Sequence, residues 1–149
     1  MSRYFEDFAV GQRFTSAGVT LSEGQILDFA FQYDPQPIHI DKVAAEAGPF
    51  GGIISSGFLT LACSFRMFYQ LGLVSETGMG GIGMDELRWQ KPVRPGDTIR
   101  ATVEVLEMRE SGSRPDRGFV TMQCQTHNQE GDLVMSYRSI QIVRRRPAA

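Results

Sequence analysis

Cysteine is scarce: Cys63 and Cys124 are the only two in 149 residues, far apart and each inside an apolar-patterned stretch. Two such residues supply neither a disulfide framework nor a CxxC zinc pair, so they are expected to be buried free thiols in a reducing cytoplasm. Charge of one sign is lacking too. Seventeen acidic against 15 basic residues leave a formal net charge of −2, which excludes the broad positive field that nucleic-acid binding needs. Long hydrophobic runs are absent: the most apolar segment carries Arg66 and Gln70, short of the roughly 18 uninterrupted apolar residues of a membrane span. The first residues, Met1-Ser2-Arg3-Tyr4-Phe5-Glu6-Asp7, show no apolar core before a small-residue cleavage site, and no secretion signal is expected. No repeat, low-complexity tract or linker divides the chain. One domain spanning 1–149 is the expectation, since 42% hydrophobic and 21% charged residues suit a compact core.

What is present falls into two halves of different period. Ser22 with Gln25 three residues on forms a capping-box pattern, and Ile26, Phe29, Ala30 and Tyr33 follow at helical spacing. That helix is expected to stop near Tyr33 or Asp34, because Pro35 disfavours the α conformation before it and Pro37 blocks a quick restart. Asp34 to His39 is then a stiff, extended segment. Asp41 is placed to cap a short helix over 42–46, ended by Gly48-Pro49. Ser55-Ser56 suits the N-cap of a long helix from Gly57 to Leu71, with Gly72 beyond it. Phe58, Leu59, Leu61, Ala62, Cys63, Phe65, Met67, Phe68 and Leu71 cover most of its circumference, which predicts burial on nearly all sides.

Beyond that helix the period is two. Ile99, Ala101, Val103 and Val105 alternate with polar residues, as do Val120, Met122 and Cys124. Val134 to Ile142 continues the pattern after turn material at Asn128 and Gly131-Asp132. Residues 82–91 form a further strand whose alternation slips at Asp85-Glu86, as at a bulge, and 111–118 is a loop. One long apolar helix among antiparallel strands predicts an α+β fold, a curved sheet wrapped around the helix. About 15 helical residues are ~22 Å long, enough to occupy most of a four- or five-stranded sheet. Pairing with a second copy would hide a sheet edge, so a homodimer is expected.

The chemistry concentrates at Asp34 and His39, five positions apart between prolines. Such a pair can take a proton from water and return it, provided the separation is fixed. By itself the spacing more often marks a turn-forming Asp and a core or surface His. The run Tyr33-Asp34-Pro35-Gln36-Pro37-Ile38-His39-Ile40-Asp41, followed by Ala44-Ala45, resembles the hydratase motif of MaoC-like and R-specific enoyl-CoA hydratases. The resemblance continues through Phe50-Gly51-Gly52-Ile53-Ile54-Ser55-Ser56-Gly57 and through 87–97. It implies a hot-dog fold and hydration or dehydration of an acyl-CoA thioester. Asp34 and His39 would be catalytic, sharing one water. Gly57 would donate its backbone N–H to the thioester carbonyl, with Ser56 and Gln36 beside the substrate. Coenzyme A would enter only as part of the substrate, with no separate cofactor and no metal. Tyr33 and Gln36 stand where the family usually has Gly and Asn, and Ser56 where many members have His.

Other features carry less. Gly78, Gly80 and Gly83 match GxGxxG but follow a helix and precede a strand, the reverse of the dinucleotide-binding order. Gly57 also suits close packing at a helix start. Asp41 is expected to be a helix cap, His127 a surface histidine, Met67 and Phe68 core, and Arg144-Arg145-Arg146 a solvated charge run. Two rival functions remain: a hot-dog acyl-CoA thioesterase, disfavoured because 57–71 contains no Asp or Glu, and a catalytically silent acyl-binding or dimer-building subunit.

Overall fold

The computed structural model describes residues 3–148. After a 3-10 turn at Phe5–Asp7 come two short strands, β1 (Arg13–Thr15) and β2 (Val19–Thr20). Four helices follow: α1 (Glu23–Tyr33), α2 (Pro37–Ile40), α3 (Lys42–Ala47) and α4 (Gly57–Gln70). Four long strands complete the chain: β3 (Gly78–Trp89), β4 (Thr98–Glu110), β5 (Arg117–His127) and β6 (Leu133–Arg144). The sheet is antiparallel in the order β1-β4-β5-β6-β3, with β2 also on β4. This is the expected α+β arrangement, in which α4 lies against the sheet and Met67 and Phe68 join Val103, Val105, Val120, Met122 and Val134 in one core.

Local chemistry sets the helix ends. Ser22 Oγ accepts from the Gln25 N–H at 3.1 Å and Gln25 Oε1 accepts from the Ser22 N–H at 2.9 Å, the capping box predicted for α1. Asp41 Oδ1 accepts from the Ala44 N–H and starts α3. Gly72 has φ +71° after α4, the left-handed stop for which glycine is suited.

Several expectations need correction. Asp34 to His39 is not extended throughout: Pro37 is the first residue of α2, a position whose missing N–H costs a helix nothing. α4 is not buried on nearly all sides. Its buried residues are Thr60, Ser64, Met67 and Phe68, whereas Phe58 (59% exposed), Phe65 and Tyr69 face out. The side turned to the sheet is partly polar: Thr126 donates to Ser64 Oγ at 2.8 Å, and the buried Tyr137 hydroxyl has no partner among the described residues. The glycines of the GxGxxG match lie within β3, and β5 already begins at Arg117 within the expected loop. Arg145 and Arg146 are not merely solvated. They pair with Glu6, Glu110 and Asp7 and tie the last residues to the first turn. His127 is half-buried at the end of β5, and Cys63 is also only half-buried while Cys124 is buried.

β3 is the sheet's far edge and is exposed over nearly its whole length. Its register on β6 breaks at three places, between Gly78 and Gly81, Gly81 and Gly83, and Asp85 and Arg88. The last is the bulge expected at Asp85-Glu86, with Glu86 in the left-handed region at φ 53°.

Candidate active site

α1 delivers Asp34. Its apolar face packs Ile26 and Ala30 into the interior, and Asp34 follows as the C-cap, its N–H on Ala30 O. α2 then turns the chain so that His39 sits one turn further on, the His39 N–H bonding Gln36 O at 2.9 Å. The segment before α4 is held on both sides, by Ile54 N–H to Ile38 O at 3.1 Å and Ser55 N–H to Val93 O at 2.8 Å. That bracing carries Ser56 and Gly57 to the pair.

Asp34 is 9% and His39 4% exposed. His39 Nε2 lies 3.3 Å from Asp34 Oδ2, and Nδ1 lies 2.7 Å from Ile54 O. A carbonyl only accepts, so Nδ1 carries the proton and, in the neutral ring, Nε2 turns a lone pair toward the carboxylate. Both Asp34 oxygens receive donors: Gln36 Nε2 reaches Oδ1 at 2.7 Å and Ser56 Oγ reaches Oδ2 at 2.6 Å. Burial pushes the carboxyl up, yet the Ser56 and Gln36 donors, joined by the charge of His39 when its ring is protonated, outweigh it and hold Asp34 below the usual carboxylate range. The pair is therefore a fixed anion beside a fixed imidazole.

It opens on a cavity of about 420 Å³ lined among others by Gln36, Phe50, Ser55, Gly57, Phe58, Thr60 and Trp89. The first turn of α4 points into it. Phe58 N–H is taken by Ser56 Oγ and Thr60 N–H by Ser56 O, while Gly57 N–H has no partner among the described residues. An unpaired N–H at the positive end of a helix is suited to an oxygen that gains negative charge. A larger cleft of about 560 Å³ at the other end of α4 holds no acid/base pair.

Of the residues singled out in the sequence, Asp34, Gln36, His39 and Gly57 line this cavity together. Ser56 does not line it. It is fully buried behind Asp34, where its hydroxyl both caps α4 and holds the carboxylate, so its place is positioning rather than substrate contact. Asp41 is the cap of α3 and stands outside the cavity. The sequence offered no sign of Trp89, whose Nε1 donates to Gly57 O at 3.0 Å from 32 residues away. An ideal Cβ on Gly57 would lie 2.5 Å from that indole, so the glycine is also what lets Trp89 close over the helix start. Lys91, likewise unforeseen, lines the cavity and pairs with Asp132. Among the described residues no three metal-ligating side chains cluster, and no helix is long and apolar enough to cross a membrane.

Residues 7–127 match the family model described as MaoC like domain. The crystal structure of a MaoC-like dehydratase from Rhodospirillum rubrum is 41% identical and superposes with a TM-score of 0.91, covering 98% of this chain and 99% of that one. The (R)-specific enoyl-CoA hydratase of the same organism is 34% identical over 125 residues, which are 79% of this chain and 76% of that protein. A Mycobacterium tuberculosis protein described as having a double hotdog fold matches at a TM-score of 0.80 and 22% identity, over 99% of this chain but 46% of that one. The long antiparallel sheet packed on α4 is thus a hot-dog fold, and the chain belongs to the MaoC-like domain family.

Proposed function

We propose that the protein is a hydro-lyase that adds water across the α,β double bond of an acyl-CoA thioester, or removes it in reverse. The observation that carries this is the buried Asp34–His39 pair, 3.3 Å apart, on a cavity that Gly57 also lines, its N–H without a partner among the described residues. In hydration a water held by the pair gives its oxygen to Cβ while the π electrons move through Cα onto the thioester oxygen. Gly57 N–H and the α4 dipole stabilise that enolate. The proton taken up by the pair returns to Cα as the enolate collapses, so that OH and H are both delivered and the pair is restored. Dehydration retraces these steps. The pair supplies both proton transfers, so the proposal calls for no cofactor, and coenzyme A enters as part of the substrate.

The direct test is a screen of purified protein against short, medium and branched enoyl-CoA thioesters, following loss of the conjugated chromophore and, in parallel, free thiol. Chromophore loss without thiol release is expected. Thiol release would make the protein a thioesterase, and silence with every thioester would make it a binding subunit. α4 itself carries no carboxylate, and the one at its start, Asp34, is held by Ser56, Gln36 and His39 as a proton-transfer pair.

Ser56 supplies a second measurable consequence. A hydrogen bond to a charged group contributes about 1.5 kcal/mol or more, close to one pKa unit. Removing a donor that favours the ionised form raises the carboxyl pKa. The acid limb of the kcat/KM profile in Ser56→Ala should therefore move up by about one pH unit, since the substitution leaves the other titratable side chains of the cavity, His39 and Lys91, in place. A limb that stays in place would show that Ser56 does not tune Asp34.

The protein is further proposed to act as a homodimer. The support is the unpaired edge of β3 together with the exposed apolar side chains of α4 and β3 that lie outside the Asp34–His39 cavity: Phe65, Tyr69, Ile82 and Met84. Light scattering should give twice the chain mass for the parent and a monomer for Ile82→Lys. A monomeric parent at working concentration overturns this. The two free thiols support a reducing, cytoplasmic setting.

A further inference from the structure

Trp89 stands at the cavity in an arrangement that packing alone leaves unexplained. Large aromatic side chains contribute most to stability when buried, yet Trp89 is 47% exposed. It is held all the same: its N–H donates to Gly57 O at 3.0 Å, and its ring meets the edge of Phe58 at 6.0 Å and 73°. The bulge at 85–88 lies just before it, so the strand that carries it departs from regular register where the side chain must reach α4. The one polar atom of the indole is already committed. What it offers the cavity is a flat, polarisable surface, directly over the helix start that bears the free Gly57 N–H.

A conjugated enoyl thioester is itself flat, and its carbonyl must approach that N–H. We propose that Trp89 is a substrate-contact residue whose indole forms the wall against which the thioester lies, so that it sets affinity for the acyl-thioester. This rests on the hydro-lyase reading of the cavity. The glycine at 57 then has two uses at one position: its N–H faces the ligand, and its missing side chain admits the indole, which a Cβ would meet at 2.5 Å.

Trp89 is the chain's single tryptophan, so its emission reports this one place. Butyryl-CoA, which lacks the double bond and is not turned over, is titrated into the full chain at fixed protein concentration, with emission and heat read in parallel. A saturable emission change with the same midpoint as the heat is expected. Heat without any change in emission overturns the proposal. Emission that does not respond to ligand but changes when the unliganded protein is diluted in a parallel series also overturns it, and assigns Trp89 to a subunit contact. Neither heat nor emission change with any acyl-CoA overturns the hydro-lyase reading and the proposal with it. In the variants, Trp89→Leu should raise KM about tenfold, the equivalent of one lost aromatic contact, while kcat stays within a factor of about three. Trp89→Phe should recover part of the loss, because it keeps a ring and loses only the bond to Gly57 O. An unchanged KM in folded Trp89→Leu overturns the proposal, and circular dichroism and melting confirm that the variant is folded.

Discussion

Asp34→Asn and His39→Ala should each lower kcat by about 10²–10⁴-fold, or ~3–5 kcal/mol of transition-state stabilisation, and the double variant should lose little more. Non-additivity is expected because the two groups handle one proton on one water, so that removing either disables the unit. The surroundings decide what else each change does. In Asp34→Asn the new side chain keeps one oxygen for the Gln36 amide, and the Ser56 hydroxyl can rotate to accept from the introduced NH2 group. That fold is expected to hold. His39→Ala leaves Ile54 O without its donor, and a lost buried partner costs about 1–3 kcal/mol. Its melting temperature should drop while the chain remains folded at room temperature. Near-parental hydration by either single variant would remove the pair from the mechanism, and fully additive losses would show two independent roles.

Gly57→Ala is expected to be nearly as damaging, and for two separable reasons. In an open helix position alanine is favoured over glycine by about 1 kcal/mol. Here the new methyl would stand 2.5 to 2.9 Å from three atoms of the Trp89 ring, which must move and give up its bond to Gly57 O. Overpacking of this kind costs about 1–3 kcal/mol, so the variant should melt several degrees lower as well as lose most turnover. The single substitution therefore does not separate a packing glycine from a donor glycine. Pairing it with Trp89→Leu does. Melting should recover in Gly57→Ala/Trp89→Leu, whereas kcat should stay about 10²-fold below that of Trp89→Leu alone, because the methyl still crowds the approach of the thioester to the N–H. Recovery of both would assign Gly57 to packing and sink its catalytic role.

How far the sequence disclosed this site depended on the distance over which each contact acts. The capping box of α1, the Asp41 cap and the start of α4 are settled within four residues, and all were legible. α2 was hidden because prolines at 35 and 37 signal extended chain as readily as a helix start. β1 and β2 are two or three residues long and exist only by pairing with β4, so no period announces them. The burial of α4 was misjudged for another reason. Its apolar residues nearly encircle it, but the sheet takes the side that holds Thr60 and Ser64 and leaves Phe58, Phe65 and Tyr69 outside. Within the site, Asp34 and His39 are local neighbours and could be named together. The Ser56 hydroxyl reaches Asp34 across 22 residues and the Trp89 indole reaches Gly57 across 32, distances at which only tertiary structure decides.

The broken register of β3 has a meaning for the molecule's life at high concentration. A long bare strand edge is a template for indiscriminate growth, whether into fibres or into tangled aggregates. This edge is bare but not flat. It is interrupted three times, kinked at Glu86, and carries Asp85, Glu86 and Arg88 near one end. A stranger's straight strand would find its hydrogen bonds out of phase within a few residues. A strand with the same interruptions would match them, and in the proposed homodimer the second copy brings that strand.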